Sequence, residues 1–385
     1  MENAYLVRKR NGVDFIDNQI RVLHIMSGAV LGGVSTVVLN YYQHIDRNKF
    51  KFDIAINTRQ LGPNGHRLKE LGTEIFYLPL KSRNPLKYIR QLKGIIESGE
   101  YDVIHDHSGL TSYVGLAVGK YMGVPIRIAH AHSAPQFSGI RGMLKSKASH
   151  YINPKIATVL VSCSQDATHA IFGSRSLDDA FILKNAIDVG KFRFDAEKRN
   201  TVREALGIND HLVIGTVGNL DPVKNQKYLL EIFASIHKIR QDVTLVIVGE
   251  GPLLNELKAQ AKTLGVASNI MFLGRRTDVN TLLMGFDVFV MPSLHEGFAI
   301  AALEAAASGL PLYLSDKIPK ELSFATRSRF LPIDRPPEYW AEEILSSQNS
   351  KYDRVKGAEE AIKNGFDIRQ NIQLLENIYQ GDRPI

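Results

Sequence analysis

The stretch Met291-Pro292-Ser293-Leu294-His295-Glu296-Gly297-Phe298-Ala299-Ile300-Ala301-Ala302-Leu303-Glu304 changes character twice. The apolar run 287–291 predicts a buried strand, residues 292–298 a loop, and the alanine-rich segment 299–307 a strong helix. Strand, loop and helix in that order make an anion site. A glycine at 297 lets backbone approach a ligand closely, and the new helix turns unpaired N–H groups and a partial positive charge back on the loop. Two carboxylates frame the turn, Glu296 and Glu304. Ionised carboxylates only accept hydrogen bonds, so they suit hydroxyls rather than phosphates. A ligand carrying phosphate with hydroxyls on both sides is a nucleotide sugar.

Outward from this stretch, short apolar runs alternate with helical patterns, which calls for parallel sheets in an α/β fold. Strands are expected at 21–27, 52–56, 74–78, 102–105, 126–131, 158–163 and 180–183. A second series follows at 212–217, 244–248, 270–273, 287–291 and 312–315. This predicts two doubly wound, Rossmann-like domains facing a central cleft, with ligands at the carboxyl ends of the strands. The first strand runs into Gly28-Ala29-Val30-Leu31-Gly32-Gly33, a second glycine-rich turn before a helix at about 34–44. Its spacing is not the G-x-G-x-x-G of dinucleotide folds. Residues 1–20 read as polar, unpatterned and peripheral, and 191–203 as linker or exposed helix. The tail after about 336 is helical, with Phe366, Ile368, Ile372, Leu375 and Ile378 on one face.

Length and composition agree with two domains. The chain has 385 residues, 44% of them hydrophobic, enough to bury two cores. Cys163 is the single cysteine, so no internal disulfide forms; its apolar surroundings suit a small buried side chain. No apolar stretch has the length of a membrane span or the form of a signal peptide, so a cytoplasmic location is expected. Charge is uneven. Residues 1–200 hold 27 Lys+Arg against 17 Asp+Glu, and residues 201–385 hold 20 against 23. The first half therefore seeks an anionic surface. Dispersed basic residues without a zinc-finger or RNP pattern argue against nucleic acid. The segment 138–151 and its continuation interleave Ile140, Met143, Leu144 and Ile152 with Arg141, Lys145, Lys147 and Lys155. That is a basic amphipathic helix fit for an anionic membrane, or equally for a core.

The pattern Glu296-Gly297-Phe298, Glu304 and Ser308-Gly309-Leu310-Pro311 resembles the E-x7-E signature of retaining glycosyltransferases of the GT-B fold, family four. Further segments are similar to that family's motifs. They are Gly218-Asn219 with Lys224-Asn225, the linker Asn185-Ala186-Ile187-Asp188, Val248-Gly249-Glu250-Gly251-Pro252 and Phe272-Leu273-Gly274. The likeness covers roughly residues 21–380. In two places the chain departs from it. Asn219 stands where the family has an arginine for the donor diphosphate, leaving Lys224, with Arg275 or Arg276 as candidates to compensate. Ala186 replaces a linker glycine.

The resemblance implies an acceptor-binding domain over 21–185, a nucleotide-sugar domain over 186–350, and helices over 351–385 packing back toward the first domain. It implies a retaining hexosyl or N-acetylhexosaminyl transfer from a nucleotide-diphosphate sugar, UDP by default, to a glycan, lipid-linked or protein-linked acceptor in surface polysaccharide or glycoconjugate synthesis. His107, Glu296 and Lys224 would be catalytic. Gly32, Gly33, Asn219, Gly274, Arg275, Gly297, Phe298, Ala299, Ile300 and Glu304 would bind the donor. His130 and His132 end a strand and are weaker candidates for the acceptor side. No D-x-D occurs in the chain, so no metal and no other cofactor is expected. Two alternatives remain open: a sugar-nucleotide epimerase of the same architecture, and a non-catalytic sugar-nucleotide-binding partner of another transferase.

Overall fold

A parallel strand covered on both faces needs apolar side chains throughout, and the expected runs become such strands. The computed structural model describes residues 7–10, 13–16, 19–26, 33–58, 61–133, 139–346 and 353–382. Its strands are β1 (Val7–Arg10), β2 (Val13–Ile16), β3 (Ile20–Met26), β4 (Phe50–Ile56), β5 (Ile75–Tyr77), β6 (Val103–Asp106), β7 (Ile126–Ala131), β8 (Val159–Ser162) and β9 (Ala180–Ile182). The second series is β10 (Leu212–Val217), β11 (Val243–Val248), β12 (Ile270–Phe272), β13 (Val288–Met291), β14 (Leu312–Ser315) and β15 (Ser328–Leu331).

Two compact units result, Met1–Ala186 with Ile368–Ile385, and Ile187–Asp367. The first holds a seven-stranded sheet in the order β5-β4-β3-β6-β7-β8-β9, and the second a six-stranded sheet in the order β12-β11-β10-β13-β14-β15. Every pairing in both is parallel. Both units are therefore Rossmann-like. Strand order reverses beside β3 in one and beside β10 in the other, which places a ligand crevice at the carboxyl ends of those strands.

In the first unit the helices are α1 (Gly33–His44), α2 (Pro63–Glu70), α3 (Pro85–Gly99), α4 (Ser112–Tyr121), α5 (Gly139–Ile156) and α6 (Gln165–Phe172). Their starts follow local chemistry. Asn84 caps α3 by accepting from Lys87 N, and Ser164 caps α6 by accepting from Ala167 N, each worth about 1 kcal/mol. The layer α3 to α6 packs on one face of the sheet, where Leu23, Ile25, Ile104 and Ala129 meet Tyr88, Leu92, Leu116 and Ile171. In the second unit the helices are α7 (Val189–Phe192), α8 (Ala196–Leu206), α9 (Gln226–Ile239), α10 (Leu254–Thr263), α11 (Val279–Gly285), α12 (Ile300–Ala307), α13 (Pro337–Ser346) and α14 (Lys356–Lys363). One face of its sheet packs on α12 through Val246, Phe289 and Leu303, and the other on α9 and α13 through Ile247, Phe233 and Trp340.

Three segments differ from the sequence expectation, and a fourth, 191–203, settles on the helix among its two expected forms. Part of the polar stretch 1–20 forms an antiparallel ladder, β1 with β2. The edge strand β15 was not expected, because Ser-Arg-Phe-Leu alternates too weakly to announce one. The stretch 191–203 contributes to two helices, α7 and α8, the latter capped by Asp195 and ended by Gly207 in a left-handed turn. In the tail, α14 belongs to the second unit, while the last helix, α15 (Ile368–Gln380), belongs to the first. There α15 is held by Asp46 N donating to Glu376 Oε1 at 3.1 Å and by Asn371 Nδ2 donating to the Lys184 carbonyl at 2.7 Å. No helix among the described residues is long and apolar enough to cross a membrane.

Candidate active site

In the second unit three loops converge at the carboxyl ends of β10, β11 and β12. Leu220 N donates to the Glu250 carbonyl at 2.9 Å, and Gly249 N to the Gly274 carbonyl at 2.8 Å. Gly249 has φ +145°, and a Cβ there would fall 1.9 Å from the Gly218 carbonyl oxygen, so only glycine permits this approach. The loop after β10 closes on Asp221, whose carboxylate accepts from Val223 N and Lys224 N. Asn225 then takes a left-handed conformation at the start of α9.

The loop after β13 is fastened to this one at three points. Leu294 N donates to the Val223 carbonyl at 2.8 Å, Asn225 Nδ2 to the Pro292 carbonyl at 3.2 Å, and Lys224 Nζ to Glu296 Oε1 at 2.6 Å. The Lys224–Glu296 pair is largely shielded, its side chains 23% and 10% exposed. It joins a cation suited to phosphate with a carboxylate suited to hydroxyls. Beyond it α12 begins at Ile300 with Ala299 before it, and no side chain caps its first turn. That uncapped end, with Gly297, half-buried Phe298 and half-buried Ile300 around it, offers N–H groups and dipole to an anion. One helical turn further on, Glu304 is partly buried and makes no side-chain hydrogen bond among the described residues. Burial raises its carboxyl to about 8.

The remaining donor candidates are distributed as follows. Asn219 is exposed, and its side chain makes no hydrogen bond among the described residues. Neither proposed substitute cation is unengaged: Arg275 Nε lies 3.5 Å from Glu250, and Arg276 Nη2 lies 2.6 Å from Asp278. Gly274, at φ +65°, supplies the carbonyl that holds Gly249. In the first unit Gly33 opens α1 and is exposed, and Gly32 lies outside the described residues.

The histidines of the first unit do something the sequence reading did not foresee. Register places His24 of β3 opposite His105 of β6, and the face they share is covered by Tyr379 of α15. Two hydrogen-bonded rows of rings lie there. In one, His105 Nδ1 meets the Tyr379 hydroxyl at 2.7 Å and its Nε2 meets His130 Nδ1 at 2.9 Å. In the other, His24 Nδ1 meets His107 Nε2 at 2.9 Å, His107 Nδ1 meets His132 Nε2 at 2.7 Å, and His132 Nδ1 reaches Asn185 Oδ1 at 3.3 Å. The rows stack, His105 on His107 at 4.2 Å and His130 on His132 at 3.9 Å between ring centroids. With Asn185 Oδ1 accepting, each ring of the second row carries its proton on Nδ1. His24 Nε2 is then left as a buried lone pair with no partner among the described residues.

Burial keeps all five rings neutral at pH 7. It holds His24 near 3, His132 near 4, and the other three well below their ordinary value. The expectation that these histidines hydrogen-bond substrates meets a geometry in which they bond one another. His107 has both ring nitrogens engaged and would reach a substrate only by giving one up. His130 is fully buried, and His132 is the partly exposed member. Two triples, His24 with His105 and His107, and His107 with His130 and His132, bring ring nitrogens within 4.8 Å of one another. Most of those nitrogens are already bonded to another ring. Two members of these rows carried no signal in the sequence: His24, inside the apolar strand β3, and Tyr379, which nothing local ties to this face.

The residues that match known families divide close to the boundary between the two units. Residues 31–189 match the family described as Glycosyltransferase Family 4, and residues 198–330 the family described as Glycosyl transferases group 1. EpsF of Bacillus subtilis (strain 168), a glycosyltransferase by name, is 32% identical over 94% of this chain and 97% of its own. The chain belongs to the glycosyltransferase group 1 family. A second relative, the Escherichia coli UDP-Gal:alpha-D-GlcNAc-diphosphoundecaprenol alpha-1,3-galactosyltransferase, is 29% identical over 78% of this chain and 80% of its own. Among solved structures, Anabaena HepE in complex with UDP and glucose superposes with a TM-score of 0.75 at 17% identity, covering 94% of this chain and 99% of that one. The fold of this glycosyltransferase is accordingly GT-B.

Proposed function

We propose that the chain transfers a sugar from a UDP-sugar to a lipid-linked glycan, with retention of anomeric configuration and without a metal, at the crevice of the second unit. The observation that carries this reading is the Lys224–Glu296 pair beside the uncapped start of α12. The bond to the leaving diphosphate breaks with charge accumulating on phosphate oxygens, so fixed positive groups are needed where that charge appears. Lys224 and the N–H groups at Ala299 to Ala301 supply them. Glu296, released from Lys224 as phosphate takes its place, accepts hydroxyls of the donor sugar with the backbone of Gly297 and Phe298. Glu304 accepts from the ribose. His107 is held by His24 and His132 as the rigid member of the acceptor side, with the partly exposed His132 beyond it.

The choice of UDP and of a lipid diphosphate-linked acceptor is supported by the Escherichia coli relative, whose name states both, and by the UDP in HepE. Glycan and protein-linked acceptors fit the same crevice chemistry. A second reading has one observation in its favour. Asn219 brings no charge to the diphosphate, as a binding partner without catalysis would allow. Calorimetric titration with UDP, GDP and ADP tests the site. One nucleotide should bind with micromolar affinity and weaken at least tenfold in Lys224→Ala, while equal binding by wild type and variant refutes the assignment.

A further inference from the structure

Each histidine row has a direction, fixed by the group at its end. Tyr379 is buried, and its hydroxyl has no partner but His105 Nδ1 among the described residues. Were the ring to donate, the phenol hydrogen would go unmatched, so the phenol donates. His105 then carries its proton on Nε2 and donates to His130 Nδ1, which leaves the proton of His130 on Nε2. In the other row the protons stand on Nδ1, and His132 Nδ1–H is the last donor. Because His105 stacks on His107 and His130 on His132, the two rows run the same way and end side by side. Their last donors, His130 Nε2–H and His132 Nδ1–H, therefore leave the cluster on the same side, on rings 3.9 Å apart. Each closes an aligned series in which every bond polarises the next, which strengthens the final N–H.

These two donors are poorly matched. His132 reaches Asn185 Oδ1 at 3.3 Å, the longest bond in either row. His130 Nε2 has no partner among the described residues, although its ring is fully buried. Buried N–H groups are almost always paired, so this one points to a ligand atom. No Lys, Arg, Asp or Glu bonds to either ring among the described residues. An anion would lie there without a cation, and neutral N–H groups offset its desolvation poorly. An alcohol fits better. Its oxygen accepts from both rings, and its own hydrogen turns to Asn185 Oδ1, freed as the 3.3 Å bond is given up. Entry is past His132, the partly exposed ring.

We propose that His130 Nε2–H, His132 Nδ1–H and Asn185 Oδ1 form a site for one sugar hydroxyl of the acceptor. Two donors draw electron density from the oxygen they hold, so this hydroxyl is bound for recognition and is not the one that attacks the donor sugar. Calling the ligand an acceptor rests on the transferase reading; the paired donors do not. Nitrogen NMR of the full chain with labelled histidine tests them, since the two ring tautomers differ in shift. His130 should be protonated at Nε2 and His132 at Nδ1. The methyl α-glycosides of glucose, galactose and N-acetylglucosamine are the probes, and at least one should shift both rings while inorganic phosphate leaves them unmoved. His130→Phe and His132→Phe each keep a stacked ring and remove one donor. With a lipid diphosphate-linked glycan, either variant should raise the acceptor KM about tenfold with kcat held within about twofold and UDP affinity unchanged. A proton on Nδ1 of His130, no response to any glycoside, or a response to phosphate alone overturns the proposal, the last making the pair an anion site. So does a fall in kcat with KM unchanged, which would put the rings in the chemistry. Glycoside shifts in a chain that transfers no sugar would refute the transferase reading and leave the hydroxyl site standing.

Discussion

Glu304 is a carboxyl with no hydrogen-bonding partner among the described residues, so its protonation state links pH, stability and ligand. Its folded-state value near 8 lies above the ordinary 4.5, so between those pH values the folded chain holds a proton that the unfolded chain has lost. The contribution to stability is complete below 4.5 and is lost as pH rises through 8. Glu304→Gln should therefore melt at the same temperature as wild type near pH 5 and above it near pH 9. Ribose hydroxyls donate best to the ionised form, so UDP affinity of the wild type should rise between pH 6.5 and 9, and the slope should vanish in Glu304→Gln. Calorimetry across that range checks both. Asn219 gives the complementary prediction. In Asn219→Arg an exposed cation is restored beside the diphosphate, and UDP should bind about fivefold more tightly, ~1 kcal/mol, with the gain shrinking in high salt. An unchanged or weaker affinity would show that the arginine cannot reach the ligand.

At the scale of elements, the loop cluster depends on one glycine and the histidine rows on burial. Gly249→Ala places a methyl against the Gly218 carbonyl in a conformation that alanine rarely adopts, and should cost at least about 2 kcal/mol and weaken UDP binding through the displaced loop. Denaturant unfolding measures the first and titration the second. The imidazoles act in the opposite sense to Glu304. Their folded-state values lie below 6.5, so the unfolded chain binds more protons as pH falls, and stability drains away from 6.5 toward 3. Each buried ring adds up to ~1.4 kcal/mol per pH unit to that slope. Melting followed by near-ultraviolet dichroism should fall steeply below pH 6, and His24→Phe, which places an apolar ring beside Phe52, should make the fall shallower. The segments 287–307 and 212–225 were legible because strand, turn and helix each wrote its own pattern. The rows were not, because they join β3, β6, β7 and α15 across more than 270 residues, from His105 to Tyr379.

At the scale of the molecule, both sheets could be read from apolar runs, since strands buried on two faces leave no polar alternation to confuse. What escaped was at the margins. The edge strand β15 and the pair β1 and β2 are half-polar, and a helical tail shows that it covers a core without showing which one. Hence α14 and α15, adjacent in sequence, were not separated between the two units. The proposed function puts donor chemistry in the second unit around Lys224, Glu296 and Glu304. Its most direct test is turnover of UDP- and GDP-sugars with a lipid diphosphate-linked glycan acceptor, with product anomer read by NMR and Glu296→Ala as control. Transfer of one sugar with retained configuration is expected, reduced at least a hundredfold in the variant. Transfer at the wild-type rate by Glu296→Ala would contradict it.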